Sequence, residues 1–262
     1  MDLHLQGKVI IVTGGMRGIG KGIVVELAQE GAIPVVINRS SMTDEYRDEI
    51  NALTDTWDFY SLDLNETDGI APIVEETYKK YGHIDGIVNN AGANDNLDLE
   101  STGWREFEKS LHGNLTHYYE LVHQAVPYLK ESQGAVVNIG SKTAITGQGK
   151  TSAYAAAKGA ILGLTREWAA ALAKDNVRVN TIVVAEAWTP LYAKWIKTFG
   201  DEEAQKARLA LIEDKIPLGK RMTRVEEIGA LAAFLLSDRS SHTTGQWLFP
   251  DGGYVHLDRA LS

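Results

Sequence analysis

Tyr154 and Lys158 lie four residues apart in an alanine-rich segment that the sequence predicts to be a helix. Side chains at this spacing lie one above the other on one helix face. An ammonium group beside a phenol stabilises the phenolate, so we expect the pKa of Tyr154 to fall below its usual value of about 10. The pair could then act as a general acid/base near neutral pH. Because the same spacing also occurs by chance in ordinary helices, the rest of the chain must decide.

A third candidate, Ser141, comes just before this helix. The apolar run at residues 135–139 predicts a buried strand that ends at Gly140 and Ser141, and a glycine-rich loop follows it. A hydroxyl at the carboxyl end of that strand could hold the substrate oxygen on which Tyr154 acts.

Composition limits the kinds of protein that this chain can be. Of its 262 residues, 44% are hydrophobic and 23% are charged, as in globular proteins with a sizeable core. No apolar run approaches the roughly 20 residues of a membrane span, and the first residues lack the basic segment of a signal peptide. The chain has no cysteine, and its net charge of −9 argues against nucleic acid or an anionic membrane as partner. We therefore expect a cytoplasmic protein without disulfides.

Strands and helices alternate along the chain, which is typical of a mainly parallel sheet with helices on both faces. No proline-rich or glycine-rich linker divides the sequence, so we expect one doubly wound α/β domain over residues 1–262. Residues 190–213 are predicted to be helical and to cover the substrate, and residues 251–262 form a C-terminal tail. The predicted strands are residues 8–12, 33–38, 57–61, 84–88, 135–139, 177–183 and 246–249.

Three glycines, Gly14, Gly18 and Gly20, follow the first predicted strand and precede a helix. Glycines at such a turn let backbone amides approach a pyrophosphate, which the helix N-terminus also favours. The alternative is a tight turn without a ligand, since patterns of this kind are loose.

Six motifs follow one another along the chain: Thr13-Gly-x-x-x-Gly-Ile-Gly20, Asn89-Asn-Ala-Gly92, Asn114, Ser141, Tyr154-x-x-x-Lys158 and Asp251-Gly252-Gly253. In their order and spacing they resemble the short-chain dehydrogenase/reductase family over essentially the whole chain. The resemblance implies a single-domain Rossmann fold with a seven-stranded sheet and an enzyme that transfers hydride between a carbinol carbon and nicotinamide.

The resemblance implies a role for each matching residue. Tyr154 would be the acid/base, and Lys158 would lower its pKa and hold the nicotinamide ribose. Ser141 would orient the substrate oxygen, and Asn114 would link Lys158 to a proton-relay water. The expected cofactor contacts are Gly14, Arg17, Gly18, Ile19, Gly20, Asn38, Arg39, Ser40, Asp63, Leu64, Asn90, Ala91, Gly92, Tyr154, Lys158 and Thr189. Among them, Asp63 would contact the adenine amino group and Asn90 the nicotinamide-ribose side.

The residues after the second predicted strand bear on the choice of nicotinamide cofactor. An acidic residue there would bind a ribose 2′-hydroxyl and repel a 2′-phosphate. This chain has the neutral Asn38, followed by Arg39, and a second cation, Arg17, in the glycine turn. Two guanidinium groups suit a phosphate dianion, although both could simply be solvated surface arginines. We therefore favour NADP, with NAD as the alternative.

The loop after the sixth predicted strand departs from the family, because Val184 and Ala185 replace the expected Pro-Gly. Glu186 then lies at the mouth of the site, where a carboxylate could accept hydrogen bonds from sugar hydroxyls. Glu186 could alternatively cap the following helix. With Ser141 and Tyr154, the other candidate substrate contacts are Asn94, Gln148, Trp188 and Tyr192, each of which could also be purely structural.

Four further segments resemble the bacterial L-fucose dehydrogenase branch of the family: residues 91–95, 146–149, 185–192 and 251–259. That resemblance implies oxidation of L-fucose, or a related L-aldose, to its lactone. It also implies a homotetramer in which His256 of the tail can approach a neighbouring site, although His256 could simply be an exposed histidine. An NADPH-dependent ketone or 3-oxoacyl reductase is a second hypothesis, and a catalytically silent NADP(H)-binding sensor or scaffold is a third. No metal site is expected, because His112, His117 and His123 lack ligand spacing.

Overall fold

Seven parallel strands form one sheet in the computed structural model, which describes residues 2–257. Their order across the sheet is β3-β2-β1-β4-β5-β6-β7, which confirms the doubly wound α/β prediction. Met1 and residues 258–262, the last part of the expected tail, lie outside the described residues. The strands are β1 (Val9–Thr13), β2 (Ile33–Asn38), β3 (Asp58–Ser61), β4 (Gly86–Asn89), β5 (Ala135–Ser141), β6 (Arg178–Val184) and β7 (Trp247–Leu248).

Helices connect the strands and cover both faces of the sheet. None of the helices within residues 2–257 is long and apolar enough to cross a membrane. The helices are α1 (Gly18–Gln29), α2 (Asp44–Asn51), α3 (Ile70–Tyr81), α4 (Trp104–Leu111), α5 (His117–Ser132), α6 (Thr143–Thr146), α7 (Ser152–Leu172), α8 (Pro190–Ile196), α9 (Glu202–Glu213) and α10 (Val225–Leu236).

Two helical regions of the structure are not continuous α-helices. Residues 190–213 form two helices, because the chain turns through Gly200 at a φ of 88° and Asp201 then caps α9 through the amide of Ala204. Between α4 and α5, residues His112–Thr116 form a π-helical turn. Such turns are rare and often occur at functional sites, and this one contains Asn114.

Residues 9–12 of β1 are all apolar, and both faces of this part of the strand are buried. Val9 and Ile11 point into one hydrophobic cluster, which contains residues of α3, α5 and α7. Ile10 and Val12 point into the other, which contains residues of α1 and α10. Because successive side chains of a strand alternate between faces, a strand that is buried on both faces needs an apolar residue at every position.

The sheet reverses its strand order between β1 and β4. Strand β1 pairs with β2 on one side and with β4 on the other. The connections that leave these strands diverge to opposite halves of the sheet, which opens a crevice at their carboxyl ends, where ligands bind in this architecture. The glycine turn after β1 and the residues after β4 and β5 therefore lie along one edge.

Candidate active site

Tyr154 lies in the first turn of α7 and Ser141 at the end of β5, as the sequence predicted. The Ser141 hydroxyl hydrogen-bonds to Tyr154, an interaction that favours the phenolate. Burial acts more strongly in the other direction and, with the nearby Asp95 carboxylate, raises the pKa of Tyr154 to about 12. The expectation of a lowered tyrosine pKa is therefore wrong for this arrangement of charges.

Lys158 is almost completely buried, with 2% of its surface exposed. Its Nζ donates hydrogen bonds to the carbonyl of Ile139 at 2.8 Å and to the hydroxyl of Tyr118 at 3.0 Å. The ammonium lies 5.6 Å from the centre of the Tyr154 ring. Burial lowers the pKa of Lys158 to about 7, because an ammonium loses its hydration in the interior. Desolvation of both groups thus outweighs the attraction on which the sequence prediction rested.

Asn114 completes the predicted group of four and lies beside Lys158. Its Oδ1 accepts a hydrogen bond from the amide of Ala93 at 2.9 Å, and its Nδ2 donates to the carbonyl of Ser110 at 3.0 Å. A Cβ on Gly92 would come 2.9 Å from Asn114 Oδ1 and 3.8 Å from Lys158 Nζ. The structure therefore brings the loop after β4, the π-helical turn and α7 together around the ammonium.

The turn after β1 fits a dinucleotide pyrophosphate. Gly14 and Gly18 have φ angles of 69° and 56°, which favour glycine. A Cβ on Gly20 would lie 2.2 Å from the Gly14 carbonyl oxygen, so this position accepts no side chain. Arg17, the N-cap residue of α1, makes no side-chain capping bond. The first amides of α1 therefore remain available for an anion at the crevice.

Asn90 supports this turn directly. Its Nδ2 donates to the carbonyl of Thr13 at 2.9 Å, and its backbone amide donates to the Thr13 hydroxyl at 2.9 Å. The side-chain amide thus ties the end of β4 to the end of β1, whereas the resemblance had implied a contact with the nicotinamide ribose. The predicted residues Ile19, Ala91 and Gly92 lie around the same crevice.

The residues that were expected to select the cofactor lie at the end of β2 and in the glycine turn. Asn38 ends β2, and its Nδ2 donates to Met16 Sδ and to the carbonyl of Ser40, each at 3.2 Å. Arg17 and Arg39 are both exposed, and neither has an ion-pair partner in the part of the chain that the structure describes. Asp63, which precedes the buried Leu64, accepts the amide of Asn65 at 3.0 Å.

Glu186 does not present a free carboxylate. One oxygen pairs with Lys142 and the other accepts a hydrogen bond from the Tyr192 hydroxyl at 2.8 Å. Both charged side chains are nearly buried, with 11% of Lys142 and 12% of Glu186 exposed. The alternative role as a helix cap is wrong, because Thr189 caps α8 by accepting the amide of Tyr192.

Sequence reasoning missed Lys142, although a signal was present. Lys142 follows Ser141 directly, and the register pairs Ser141 with Val184 at the end of β6. Any residue just beyond Ser141 therefore lies near the loop that contains Glu186. Lys142 also stacks over the ring of Tyr254 at 4.3 Å. The turn Asp251-Gly252-Gly253 positions the Tyr254 ring, because the Asp251 carboxylate accepts hydrogen bonds from the amides of Gly253 and Val255.

Backbone hydrogen bonds hold the loop after β6 in place, although this loop lacks the expected Pro-Gly. The amide of Trp188 donates to the Thr223 carbonyl at 2.9 Å, and the amide of Thr223 donates to the Glu186 carbonyl at 2.9 Å. Val184 still ends the strand, and Ala185 follows it. The cofactor candidate Thr189 approaches the glycine turn, since a Cβ on Gly18 would lie 3.6 Å from its side chain.

The remaining predicted substrate contacts differ in their exposure and in the groups that they contact. Trp188 is 44% exposed, and its ring centre lies 6.4 Å from that of Tyr192, in an aromatic row that continues to Trp195. Asn94 uses its Oδ1 in a local turn with the amide of Asn96. Gln148 is exposed in the loop before α7. The exposed His256 packs edge-on against Phe249, with ring centres 4.2 Å apart.

The sequence and fold can be compared with known proteins. The chain matches the family described as enoyl-(acyl carrier protein) reductase over residues 14–255. It is 35% identical over 256 residues to 3-oxoacyl-(acyl-carrier-protein) reductase FabG of Thermotoga maritima, with 97% of this chain and 100% of that protein covered. It is also 35% identical over 249 residues to L-fucose dehydrogenase of Rattus norvegicus, with 95% and 89% covered.

Solved structures share the fold over nearly their whole length. The Cj0485 dehydrogenase is 52% identical with a TM-score of 0.96, and 100% of this chain and 99% of that chain are covered. Aldohexose dehydrogenase of Thermoplasma acidophilum is 29% identical with a TM-score of 0.87 and coverages of 99% and 98%. L-sorbose reductase of Gluconobacter frateurii, complexed with NADPH and L-sorbose, is 26% identical with a TM-score of 0.91 and coverages of 98% and 100%.

These similarities extend over the chain as a whole and agree with the strand order, the glycine turn and the residues around Lys158. This chain belongs to the short-chain dehydrogenase/reductase family and is an NAD(P)-dependent oxidoreductase that acts on CH–OH groups.

Proposed function

We propose that this protein is a sugar dehydrogenase that oxidises L-fucose, or a related L-aldose, to its lactone. The observation that carries the proposal is the nearly buried ion pair between Lys142 and Glu186, next to Ser141. Similarity to L-fucose dehydrogenase of Rattus norvegicus and to aldohexose dehydrogenase of Thermoplasma acidophilum supports a sugar as substrate.

The ion pair favours a polyhydroxylated substrate on energetic grounds. A sugar offers hydroxyls that can donate to Glu186 and accept from Lys142, so that both charges stay solvated by polar atoms. An acyl chain packed against the same pair would remove water and return no hydrogen bonds, at a cost of several kcal/mol. Trp188 and Tyr192 add aromatic surface of the kind that stacks on the apolar face of a sugar ring.

The family resemblance implies the roles that we propose at the reacting carbon, and the contacts around Lys158 support them. Tyr154 would accept the proton of the substrate hydroxyl at its Oη while it passes its own phenolic proton toward the relay water at Lys158, and the Ser141 hydroxyl would hold the substrate oxygen. Lys158 would hold the nicotinamide ribose, and Asn114 would link Lys158 to a relay water. When bound, the nicotinamide supplies the acceptor for the hydride. A proton and a hydride thus leave the substrate by separate routes.

The test is a set of initial rates with L- and D-aldoses, polyols, secondary alcohols, small ketones and a 3-oxoacyl thioester, in the matching redox directions. We expect L-fucose or an L-galactose-like sugar to be preferred. Glu186→Gln should lower kcat/KM for that sugar at least tenfold and change the rate with a simple secondary alcohol much less, because only the sugar uses the ion pair. Equal losses on both substrates would argue against recognition by Glu186.

A second candidate is reduction of ketones or 3-oxoacyl thioesters with NADPH. The 35% identity to FabG of Thermotoga maritima favours it. Preference for a 3-oxoacyl thioester in the same panel would replace the sugar proposal. The third possibility, a silent cofactor-binding protein, predicts no turnover with any substrate. Tyr154→Phe should abolish turnover and retain cofactor binding, and turnover that survives this change would contradict the proposed chemistry.

We also propose that NADP is preferred over NAD. The exposed guanidinium groups of Arg17 and Arg39 carry no ion pair within residues 2–257 and are free to approach a 2′-phosphate. Arg39→Ala should weaken NADPH binding about tenfold or more while NADH binding changes little. Asn38→Asp should weaken NADPH binding, because the new carboxylate would repel the 2′-phosphate. Arg105→Ala, an exposed arginine on α4, is the control, and equal losses for both cofactors in Arg39→Ala would overturn the preference.

A further inference from the structure

Tyr118 has a buried hydroxyl group, and the sequence patterns did not indicate a function for it. It lies in the first turn of α5 and none of its surface is exposed. Its hydroxyl accepts a hydrogen bond from Lys158 Nζ at 3.0 Å and donates to the carbonyl of Ile139 at 3.3 Å. The same ammonium lies 4.9 Å from the centre of the Tyr118 ring. Tyr118 therefore meets Lys158 with both its oxygen and its π system.

The ammonium of Lys158 has three N–H donors. One is directed at the Tyr118 hydroxyl and a second at the Ile139 carbonyl, which leaves the third for a ligand or for solvent. Both acceptors are fixed, because Ile139 belongs to β5 and the Tyr118 side chain is enclosed by the core. Two fixed acceptors determine where the charge sits and in which direction the remaining N–H points.

We propose that Tyr118 is a positioning residue for Lys158, which holds the ammonium in its protonated form at the end of β5. This inference rests on the role proposed above for Lys158. A hydrogen bond to a charged group is stronger than one between neutral groups. Removing the acceptor would leave a desolvated cation with a single protein partner, so the neutral amine would become more favourable.

Other charged groups near Lys158 do not change this expectation. Tyr154 lies on the same helix, and its pKa of about 12 keeps it neutral around pH 7. His117 on α5 faces Lys158, but burial lowers its pKa to about 4, so it is also neutral. The carboxylate of Asp63 acts on His117, and that of Asp95 acts on Tyr154. Within the described residues, Lys158 is thus the group of this cluster that titrates near neutral pH.

The experiment measures the affinity for NADPH as a function of pH, by fluorescence and without substrate, in the wild-type protein and in Tyr118→Phe. Phenylalanine keeps the ring in the core and removes only the hydroxyl. In the wild type, affinity should fall as Lys158 loses its proton. In Tyr118→Phe the midpoint of that fall should move down by about one pH unit, since 1.36 kcal/mol corresponds to one unit.

Two further variants make the outcome specific. Tyr128→Phe, on the same helix, removes a tyrosine hydroxyl away from Lys158 and should leave the midpoint unchanged. In a Lys158→Met background, Tyr118→Phe should cause no further loss of NADPH affinity, because its effect passes through Lys158. An unchanged midpoint in folded Tyr118→Phe, or an additional loss in the double variant, would overturn the proposal. Because no substrate is present, failure of the sugar assignment leaves this result unaffected.

Discussion

At the scale of single residues, the sequence predicts which groups meet but not their protonation. Helical spacing places Tyr154 and Lys158 on one face, yet it carries no information about how deeply that face is buried. The structure buries both, which raises the pKa of Tyr154 to about 12 and lowers that of Lys158 to about 7. Functional sites commonly contain such buried groups, whose pKa values are shifted because the charged form loses its hydration.

Removing that charge should stabilise the folded chain. Burial lowers the pKa of Lys158 from 10.5 to about 7, so between these values the unfolded chain binds more protons than the folded chain. The cost of burying the ammonium is therefore complete below pH 7 and disappears toward pH 10.5. Lys158→Met should raise stability by about 1–3 kcal/mol at pH 6.5, or roughly 2–10 °C in melting temperature, while turnover is lost.

The measurement is thermal unfolding without cofactor, at pH 6.5 and at pH 10. The gain should shrink at the higher pH. Lys109→Met, at an exposed position of α4, should change the melting temperature little at either pH. A Lys158→Met protein that melts at or below the wild-type temperature at pH 6.5 would show that the hydrogen bonds of Lys158 outweigh its desolvation.

Helical phase explains why Tyr118 could not be identified from the sequence. Tyr118 and Tyr119 are adjacent, and the first is fully buried whereas the second is 52% exposed. The π-helical turn His112–Thr116 adds residues to one turn and rotates all that follows about the helix axis. A 3.6-residue period extended from α4 across this turn therefore assigns the residues of α5 to the wrong helix face. For this reason the sequence does not show which of Tyr118 and Tyr119 is buried.

At the scale of elements, the contact between α1 and α10 positions the glycine turn. A Cβ on Gly22 would come 2.7 Å from the carbonyl oxygen of Val225, and one on Gly229 would come 2.6 Å from that of Gly22. The two backbones thus approach each other directly. The sequence patterns could not predict this contact, because α1 and α10 lie about 200 residues apart in the chain.

Gly22→Ala should separate these helices. The methyl group meets backbone rather than a flexible side chain, so we expect a loss of about 1–3 kcal/mol in stability. Since α1 begins at the pyrophosphate crevice, NADPH affinity should fall in parallel. Thermal unfolding and cofactor titration measure the two effects. Gln29→Ala, at an exposed position of α1, is the control, and unchanged stability in Gly22→Ala would show that the helices adjust freely.

At the scale of the whole molecule, one face of α7 remains uncovered in the single chain. A Cβ on Gly159 or on Gly163 would meet nothing within 4 Å. A groove of about 600 Å³ runs along these glycines and is flanked by Ile145, Leu162 and Trp247. The resemblance to the family implies a homotetramer, and we propose this face as a subunit contact because small residues let helices approach closely.

Gly163→Arg tests that assembly without straining the single chain. The new side chain enters open space, and arginine forms helices better than glycine by about 0.5–1 kcal/mol, so each chain should fold normally. The mass in solution, measured by sedimentation or light scattering, should fall below four chains. Glu203→Arg on the exposed side of α9 should leave the mass unchanged. A wild-type mass retained by Gly163→Arg would remove α7 from the interface.

The turn at Asp251–Gly253 has a consequence for how the protein is made. Synthesis proceeds from the amino end, so the ribosome releases the glycine turn, Arg17 and Arg39 long before Tyr254. Only after that ring has been added can it stack over Lys142. A chain halted by a nonsense codon or cut by a protease before Asp251 would contain the strands of the cofactor crevice but not the aromatic wall beside the ion pair. Under the proposed function, the site for the sugar is thus completed last during translation.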